Sequence, residues 1–248
     1  MTELLQLNNV TKSFGAVEAL VNVSFSVNSG EVVALLGDNG AGKSTLIKIL
    51  SGVHKHDNGN IKWEGNDIVI KSPAHARKIG FSVVYLDLAV VPLISIYRNF
   101  FLGKEDLICR KFFGVSFIRN NYAKNIARNA LSQLGIEIEN VESNVGVLSG
   151  GERQSISIAR AVYFQSKLLI LDEPTAALSL KETAKVLSYV QEAKKNEVGV
   201  IMITHNISHA WDSADRFVVL YRGEVASVLK KEETSVKELE NLINTGKK

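Results

Sequence analysis

The stretch VVALLGDNGAGKS at residues 32–44 decides the fold of this chain. Its first part, Val32–Leu36, is a continuous apolar run that predicts a buried strand. Its second part, Gly37–Ser44, fits the pattern G-x-x-x-x-G-K-S, and a helical pattern follows near Ser44–Ser51. A glycine-rich turn between a strand and a helix is the context in which this pattern binds phosphate. The sequence therefore predicts a phosphate-binding loop.

The predicted phosphate loop depends mainly on its backbone. Glycines let the chain curl so that N–H groups point inward at phosphate oxygens, and the helix start attracts the same anion. Lys43 adds a mobile charge for the β- and γ-phosphates, and the Ser44 hydroxyl is a ligand for Mg²⁺. The alternative is an ordinary glycine-rich turn beside a solvated lysine, which the flanking strand and helix disfavour. The predicted nucleotide-binding residues of this loop are Gly37, Asp38, Asn39, Gly40, Ala41, Gly42, Lys43, Ser44 and Thr45.

Along the rest of the chain, apolar β-branched runs alternate with helical patterns, which predicts an α/β fold with a largely parallel sheet. Helical patterns replace strand-like ones between about Leu88 and Val147, so we interpret residues 88–147 as a mostly helical insertion into one domain spanning residues 1–248. The tail, Thr234–Lys248, predicts a capped amphipathic helix with a frayed end. Strands are predicted near Leu4–Val10, Val32–Leu36, Ile61–Trp63, Phe81–Tyr85, Leu168–Asp172, Val198–Ile203 and Phe217–Tyr221. Helices are predicted near Ser44–Ser51, Asn121–Leu134, Glu152–Ser166, Leu180–Asn196 and Ile207–Ser213.

Composition limits the setting in which this chain works. Cys109 is the only cysteine, so no intrachain disulfide can form, which suits a reducing cytoplasm. The first residues, MTELLQLNNV, lack the basic start and apolar stretch of a signal peptide, and the longest apolar runs are strand-sized. A net charge of +3 is too mild to indicate a nucleic-acid partner. We therefore expect a soluble protein with no nucleic acid bound.

Two carboxylates follow the apolar run Leu168–Leu171. Asp172, at the end of the predicted strand, is placed to hold Mg²⁺, as a second carboxylate does in phosphate-loop enzymes. Glu173 lies beyond the strand tip and is a candidate for polarising an attacking water, a contribution of about 10²–10⁴ in rate. The alternative is a strand that merely ends in polar residues, which the phosphate loop makes less attractive.

His205 follows the apolar strand Val200–Thr204. Parallel strands place their carboxyl ends along one edge, where ligands bind, so a ring N–H of His205 is placed to reach a γ-phosphate. His205 and His209 also have the i, i+4 spacing of a metal pair, but Asn206 replaces the glutamate of H-E-x-x-H. A surface histidine without a role is the remaining alternative.

The segment LSGGERQ at residues 148–154 resembles the LSGGQ signature of ABC ATPases and lies upstream of the acid pair, as in that family. Physically it is a second glycine-rich helix start, with the Ser149 hydroxyl and free N–H groups aimed at an anion. It is also an ordinary capping box, with Glu152 three residues after Ser149. Both interpretations hold together, because the cap itself makes the anion site.

The resemblance to ABC ATPases covers nearly the whole chain. Gly30-Glu31-Val32, DEPT at residues 172–175 and Thr204-His205 look like family motifs in family order. Phe14 stands where the family places an aromatic that stacks on adenine, although an isolated phenylalanine is more often part of a core. GDNG at residues 37–40, LIKILSGV at residues 46–53 and PTAALS at residues 174–179 are similar to the ATPases of bacterial simple-sugar importers.

What the resemblance implies is an ATP-hydrolysing subunit that works as a dimer, with a homodimer favoured. Two copies would face each other head to tail, with ATP between the phosphate loop of one and Ser149, Gly150, Gly151 and Glu152 of the other. Closure on ATP would drive integral-membrane permease subunits, and indirectly serve a secreted solute-binding protein. The helical insertion would meet the permease, and the subunit would lie on the cytoplasmic face of the membrane.

The sequence departs from the family at Leu86. ABC ATPases carry a glutamine after the strand Phe81–Tyr85, and leucine has no oxygen for metal or water. This favours, as one alternative, a regulatory ATP-binding subunit with weak hydrolysis. A GTPase is disfavoured because no N-K-x-D motif occurs. A nucleic-acid-associated ABC protein is disfavoured because there is neither a second ABC domain nor a long coiled-coil insertion.

Overall fold

A computed structural model describes residues 2–85, 90–113, 115–133, 136–164, 166–176 and 178–247. The chain forms two compact units, each described by itself below. The first unit comprises Met1–Leu86, Gln165–Ala176 and Val190–Lys248, and the second comprises Asp87–Phe164 and Ala177–Tyr189. Within the described residues, no helix is both long and apolar enough to cross a lipid bilayer.

Strands and helices alternate along much of the chain. The strands are β1 (Glu3–Phe14), β2 (Val17–Asn28), β3 (Val32–Leu36), β4 (Asn58–Trp63), β5 (Asn66–Ile68), β6 (Phe81–Val84), β7 (Cys109–Phe112), β8 (Val115–Ile118), β9 (Leu168–Asp172), β10 (Gly199–Ile203), β11 (Arg216–Tyr221) and β12 (Glu224–Lys230). The α-helices are α1 (Lys43–Leu50), α2 (Pro73–Lys78), α3 (Ile96–Phe100), α4 (Asn120–Gln133), α5 (Gly150–Tyr163), α6 (Leu180–Lys195), α7 (Ile207–Ser213) and α8 (Val236–Thr245).

The central sheet of the first unit has the strand order β12-β11-β3-β10-β9-β6. Strands β11, β3, β10, β9 and β6 are parallel, and β12 pairs antiparallel with β11 at one edge. The strands β3 and β10 are buried along their full length, as expected for parallel strands covered on both faces. Because these strands are parallel, Leu36, Asp172 and Ile203 end at the same edge of the sheet. This edge carries the phosphate loop, the acid pair and the histidine.

A second, antiparallel sheet in the same unit has the order β2-β1-β4-β5. Its apolar side chains join those of the central sheet and α1 in one core, in which the rings of Trp63 and Phe81 meet edge to face with centroids 4.4 Å apart. The tail helix α8 begins after Ser235, whose hydroxyl accepts the N–H of Glu238, and ends at the left-handed Gly246. The predicted α/β fold with a largely parallel sheet is confirmed, and so is the capped tail helix.

The second unit contains α3, α4 and α5, together with the first part of α6. Its core includes Phe100 and Phe101, whose rings pack against Phe164, and the guanidinium of Arg160 donates to the Leu102 carbonyl at 2.9 Å. The unit also contains the antiparallel hairpin β7–β8, which the sequence patterns did not predict.

Several predicted boundaries were wrong. Helix α5 starts at Gly150 and ends at Tyr163, earlier than the predicted Glu152–Ser166. Strand β1 runs to Phe14, beyond the predicted end at Val10, because the antiparallel partner β2 continues to pair with it through bulges. The sheet thus extends regular structure where the local pattern alone gave no signal.

Candidate functional site

The phosphate loop curls tightly between β3 and α1. Gly37 and Gly42 have φ angles of +152° and +104°, a region that favours glycine. A Cβ at Gly37 would lie 2.5 Å from the carbonyl oxygen of Leu220, and one at Gly42 would lie 2.6 Å from that of Ala19. Gly42 is the N-cap of α1 and provides no side-chain hydrogen bond, so the first N–H groups of the helix remain available to an anion.

The ammonium group of Lys43 folds back over this loop. Its Nζ donates to the carbonyl oxygens of Gly37 at 2.7 Å and Asp38 at 2.9 Å. Burial lowers the pKa of Lys43, while the charges of Glu173, Asp38 and Asp172 act in the opposite direction. A partly buried cation that is hydrogen-bonded only to neutral carbonyls gains by exchanging one of them for a phosphate oxygen. The loop is therefore arranged to bind an anion, and the ammonium group of Lys43 already lies within it.

The acid pair lies at the tip of β9 in the same unit. Loss of hydration raises the pKa of Asp172, with a further contribution from the neighbouring Glu173 and an opposing one from Lys43. Glu173 has a left-handed φ of +48°, which is uncommon for a residue with a side chain and costs energy. Its N–H donates to the Ile203 carbonyl at 2.8 Å, so the turn is held against the end of β10. This backbone geometry turns the Glu173 carboxylate toward the residue after β10.

Glu173 and His205 form a hydrogen-bonded pair. Oε1 of Glu173 accepts the backbone N–H of His205 at 3.0 Å and lies 2.9 Å from Nδ1 of the same ring. An ionised carboxylate only accepts, so Nδ1 carries the proton in this arrangement and Nε2 is left as the outer ring nitrogen. Nε2 is then an acceptor, so the neutral ring can donate to a phosphate only through its Nδ1–H after turning away from Glu173, whereas a doubly protonated ring can donate through Nε2 as well. The side chain of His205 is 72% exposed, which leaves room for that turn.

The metal interpretation of His205 and His209 gains no support. Nδ1 of His209 lies 2.9 Å from the Thr175 hydroxyl, and the His209 N–H donates to the side chain of Asn206, the N-cap of α7. The two rings thus have separate partners. Among the described residues, no group of three or more His, Cys, Asp or Glu side chains is arranged to hold a metal ion.

Phe14 ends β1 on the surface of the first unit rather than in its core. The ring is 44% exposed and meets the His54 ring edge to face, with centroids 5.3 Å apart. The ammonium of Lys12 lies 5.3 Å from the centroid of the same ring. An exposed aromatic ring that neighbouring side chains hold in position can stack on a flat ring such as a base.

The signature segment begins α5 in the second unit. Ser149 and Glu152 form a complete capping box, in which the Ser149 hydroxyl accepts the N–H of Glu152 and the Glu152 carboxylate accepts the N–H of Ser149. Gly150 and Gly151 are the first residues of the helix. The predicted helix start is therefore present, and the capping interpretation and the anion-site interpretation refer to the same atoms.

One residue at the signature segment was missed by sequence reasoning. Oε1 of Glu182 accepts the Ser149 hydroxyl at 3.1 Å, and a Cβ on Gly151 would lie 2.6 Å from the same oxygen. Hydrogen bonds from the N–H and hydroxyl of Ser179, then from Ser149 and the Gly151 N–H, lower the pKa of Glu182. A carboxylate thus occupies the anion position at the start of α5. The one sequence signal was the capping pattern Ser179-x-x-Glu182 at the start of α6.

Leu86, where the sequence departs from the resembled family, lies outside the described residues. The same holds for Asp87, its neighbour. The prediction made for this position rests on sequence alone.

Comparison with known proteins gives consistent matches. The sequence model of a family described as ABC transporter matches residues 20–176. The chain is 46% identical over 245 residues to the xylose/arabinose import ATP-binding protein XylG of Sulfolobus acidocaldarius, which covers 99% of this chain and 95% of that protein. It is 42% identical over 217 residues to the fructose import ATP-binding protein FrcA of Rhizobium meliloti, covering 86% of this chain and 83% of that protein.

Among solved structures, the dimeric structure of MJ0796, a bacterial ABC transporter cassette, matches with a TM-score of 0.77 and 26% identity. The match covers 92% of this chain and 99% of that chain. The family match includes the phosphate loop, the signature segment and the acid pair in one continuous alignment.

Proposed function

Because this chain belongs to the ABC transporter family, we propose that it binds and hydrolyses ATP to drive a membrane importer of simple sugars. The observation that carries the sugar assignment is the similarity to XylG over nearly the full length of both chains. The fructose import protein FrcA supports the same class of cargo. The alternative of a weakly hydrolysing regulatory or nucleic-acid-associated ATPase is not favoured, because both relatives are import proteins.

In this proposal the first unit holds the nucleotide. The N–H groups of the loop Gly37–Thr45 and the start of α1 bind the phosphates, Lys43 moves its ammonium from the loop carbonyls to a phosphate oxygen, and Phe14 stacks on adenine. A bond between two opposite charges replaces a bond from the ammonium to a neutral carbonyl at Lys43, which favours the nucleotide-bound arrangement.

Ser44 and Asp172 would hold Mg²⁺. A hydroxyl and a carboxylate are the donor chemistry that Mg²⁺ takes beside nucleotide phosphates, where it keeps few protein ligands. Asp172 fits this role, since a carboxyl whose pKa is raised by lost hydration gains from a nearby cation. Bound there, Mg²⁺ would neutralise charge on the phosphates.

Glu173 is the residue that we assign to the attacking water. Its Oε1 is held by His205, so Oε2 is the oxygen that accepts the water proton as the nucleophile attacks the γ-phosphate. His205 positions Glu173 through Nδ1–H, and it donates to the γ-phosphate through Nε2 when the ring carries a second proton, or through Nδ1 when the ring turns. The strained backbone at Glu173 supports this assignment, because such strain clusters at functional sites.

The partners follow from the same proposal. Two copies of the chain would enclose ATP, with Ser149, Gly150, Gly151 and Glu152 of one copy facing the phosphate loop of the other. The dimeric cassette structure that this chain resembles supports the pairing of two copies. Permease subunits would meet residues of the 88–147 segment within the single nucleotide-binding domain. A secreted solute-binding protein would deliver the sugar to the permease. The chain itself would lie on the cytoplasmic face of the membrane.

The experiment is a steady-state ATPase measurement on Glu173→Gln. Glutamine keeps the shape of the side chain but cannot take the proton, so turnover should fall by about 10²-fold or more while ATP binding survives. An ATP-held dimer should accumulate, visible as a shift in size-exclusion chromatography. Glu240→Gln, an exposed change on α8, is the matched control and should keep the parental rate. Parental turnover in Glu173→Gln would assign the water to another group.

A further inference from the structure

The hairpin β7–β8 of the second unit exposes large apolar side chains at its end. Phe113 is 91% exposed, Phe112 is 61% exposed, and Val115 and Phe117 are each 56% exposed. All four residues of β8 are exposed, so this strand is covered on neither face. The rings of Phe112 and Phe113 contact only edge to face, with centroids 4.6 Å apart. Such an apolar end is unusual on a surface that meets only water.

The apolar residues of one face are concentrated at the turn end of the hairpin. The register pairs Phe112 with Val115 nearest the turn, and Arg110 with Phe117 on the next rung of the same face. Phe113 lies beyond the last paired rung. The tip is therefore purely apolar, and the first cation of this face stands behind it, about 7 Å further along the strand.

The charge of this region is one-sided. Residues 107–136 contain no aspartate or glutamate and carry five basic residues, against a net charge of +3 for the whole chain. Lys124 is paired with Glu142, but the side chains of Arg110, Arg119 and Arg128 are exposed. Arg119 lies 4.1 Å from the Tyr122 ring centroid, which adds an aromatic–cation pair behind the hairpin.

We propose that this hairpin inserts its tip into the interfacial region of a bilayer that contains anionic lipids. Phe112, Phe113 and Val115 enter the boundary between headgroups and acyl chains, and Arg110, on the next rung of the same face, and Arg119, which follows β8, bind lipid phosphates. An apolar end about 5–10 Å deep, backed by cations, is the arrangement of interfacial anchors.

A lipid surface fits these observations better than a groove on a protein. The apolar side chains of the tip are not confined to one face, because Phe112 and Val115 share a face of the hairpin whereas Phe113 lies beyond its last paired rung. A protein groove selects one face, whereas a lipid interface accepts apolar groups around the whole tip and supplies negative charge at one depth. The proposal adds a direct lipid contact to the proposed permease contact and does not depend on ATP.

The test is flotation of the full chain, without nucleotide, with vesicles of phosphatidylcholine alone or mixed with phosphatidylglycerol. We expect binding to the mixed vesicles that weakens with salt. The triple variant Phe112→Ser, Phe113→Ser, Val115→Ser should weaken binding by about tenfold or more. Arg110→Gln should weaken it by about fivefold. Val69→Ser and Lys71→Gln, exposed positions of the first unit, are the matched controls and should bind as the parent does.

Circular dichroism and thermal melting of each variant separate lost binding from lost folding. The proposal is overturned if the parent does not float with anionic vesicles, or if the triple variant floats as well as the parent. It is also overturned if the triple variant floats normally but no longer co-purifies with a permease in detergent, since the hairpin would then be a protein contact. ATPase activity of the same samples tests the proposed function separately.

Discussion

Two helices of this molecule start at glycine-rich segments, and they differ in how their first N–H groups are satisfied. Helix α1 is preceded by the left-handed Gly42, which provides no side-chain cap. Helix α5 is preceded by Ser149, which forms a full capping box with Glu152 and also donates its hydroxyl to Glu182. One helix start is open, and the other already holds carboxylates.

This difference predicts different behaviour toward an incoming phosphate. At α1 an anion meets N–H groups that no side chain caps, and Lys43 exchanges a loop carbonyl for the anion. At α5 the anion position is taken by the Glu182 carboxylate, so a phosphate must displace a like charge of the protein itself. The phosphate loop is thus ready to bind nucleotide, whereas the signature segment binds only when its internal carboxylate gives way.

Among the tests of this comparison, the largest effect is a loss of ATP affinity, and it is expected at the open start of α1. Lys43→Ala should weaken ATP binding by at least about tenfold, because it removes a charge-assisted bond to phosphate. The fold should survive, since Lys43 bonds only to the carbonyls of its own loop. Nucleotide titration by fluorescence or calorimetry measures the change.

Lys48→Ala is the matched control for this prediction. Lys48 is an exposed lysine in the last turn of the same helix, away from the loop. It should keep parental ATP affinity. A folded Lys43→Ala protein that binds ATP as tightly as the parent would mean that the two helix starts do not differ in the way described.

The sequence predicted the open helix start well and the occupied one only in part. Gly37 and Gly42 were predictable because the motif and its strand–helix context are local. Glu182 was not, because it lies far from Ser149 in sequence and reaches it only through the packing of α6 beside α5. Its local pattern with Ser179 indicates a helix cap and nothing more.

The hairpin β7–β8 escaped prediction for a different physical reason. Its strands are short, and they mix charged with aromatic residues without the alternation that marks a half-buried strand. Because both faces of β8 are exposed, its sequence lacks the alternation of apolar and polar residues from which a half-buried strand is predicted. The aromatic residues of this region are divided, because Phe100 and Phe101 are in the core whereas Phe112 and Phe113 are exposed.

A smaller effect is expected at the occupied helix start. Glu182→Gln removes the negative charge that a partner's phosphate would have to displace, so ATP-driven association of two copies should strengthen by about fivefold. The change is best made in the Glu173→Gln background, where hydrolysis is slow and the dimer persists. The dimer fraction against ATP concentration, from analytical ultracentrifugation, measures it.

Glu238→Gln is the control for a lost helix cap. Glu238 lies three residues after Ser235 at the start of α8, as Glu182 lies three residues after Ser179 at the start of α6. Both variants should melt slightly earlier than the parent, but only Glu182→Gln should change dimerisation. Weaker association in Glu182→Gln would mean that this carboxylate supports the signature segment instead of competing at it.

The smallest effect is expected at Leu86, which belongs to neither helix start. Leucine offers no oxygen to metal or water where the resembled family has a glutamine. The sequence predicts that Asp87 does not take its place, because adjacent residues point in opposite directions in the extended segment expected here. ATP binding should therefore be normal, with slow hydrolysis and weak stimulation by a permease. Leu86→Gln should raise turnover by about threefold, well below a general-base effect, if the amide only positions Mg²⁺ and water. The measurement is the steady-state ATPase rate of both proteins at matched Mg²⁺. Slower turnover in Leu86→Gln would mean that coupling is achieved by other residues. A parent that already hydrolyses ATP at ordinary ABC rates would mean the same.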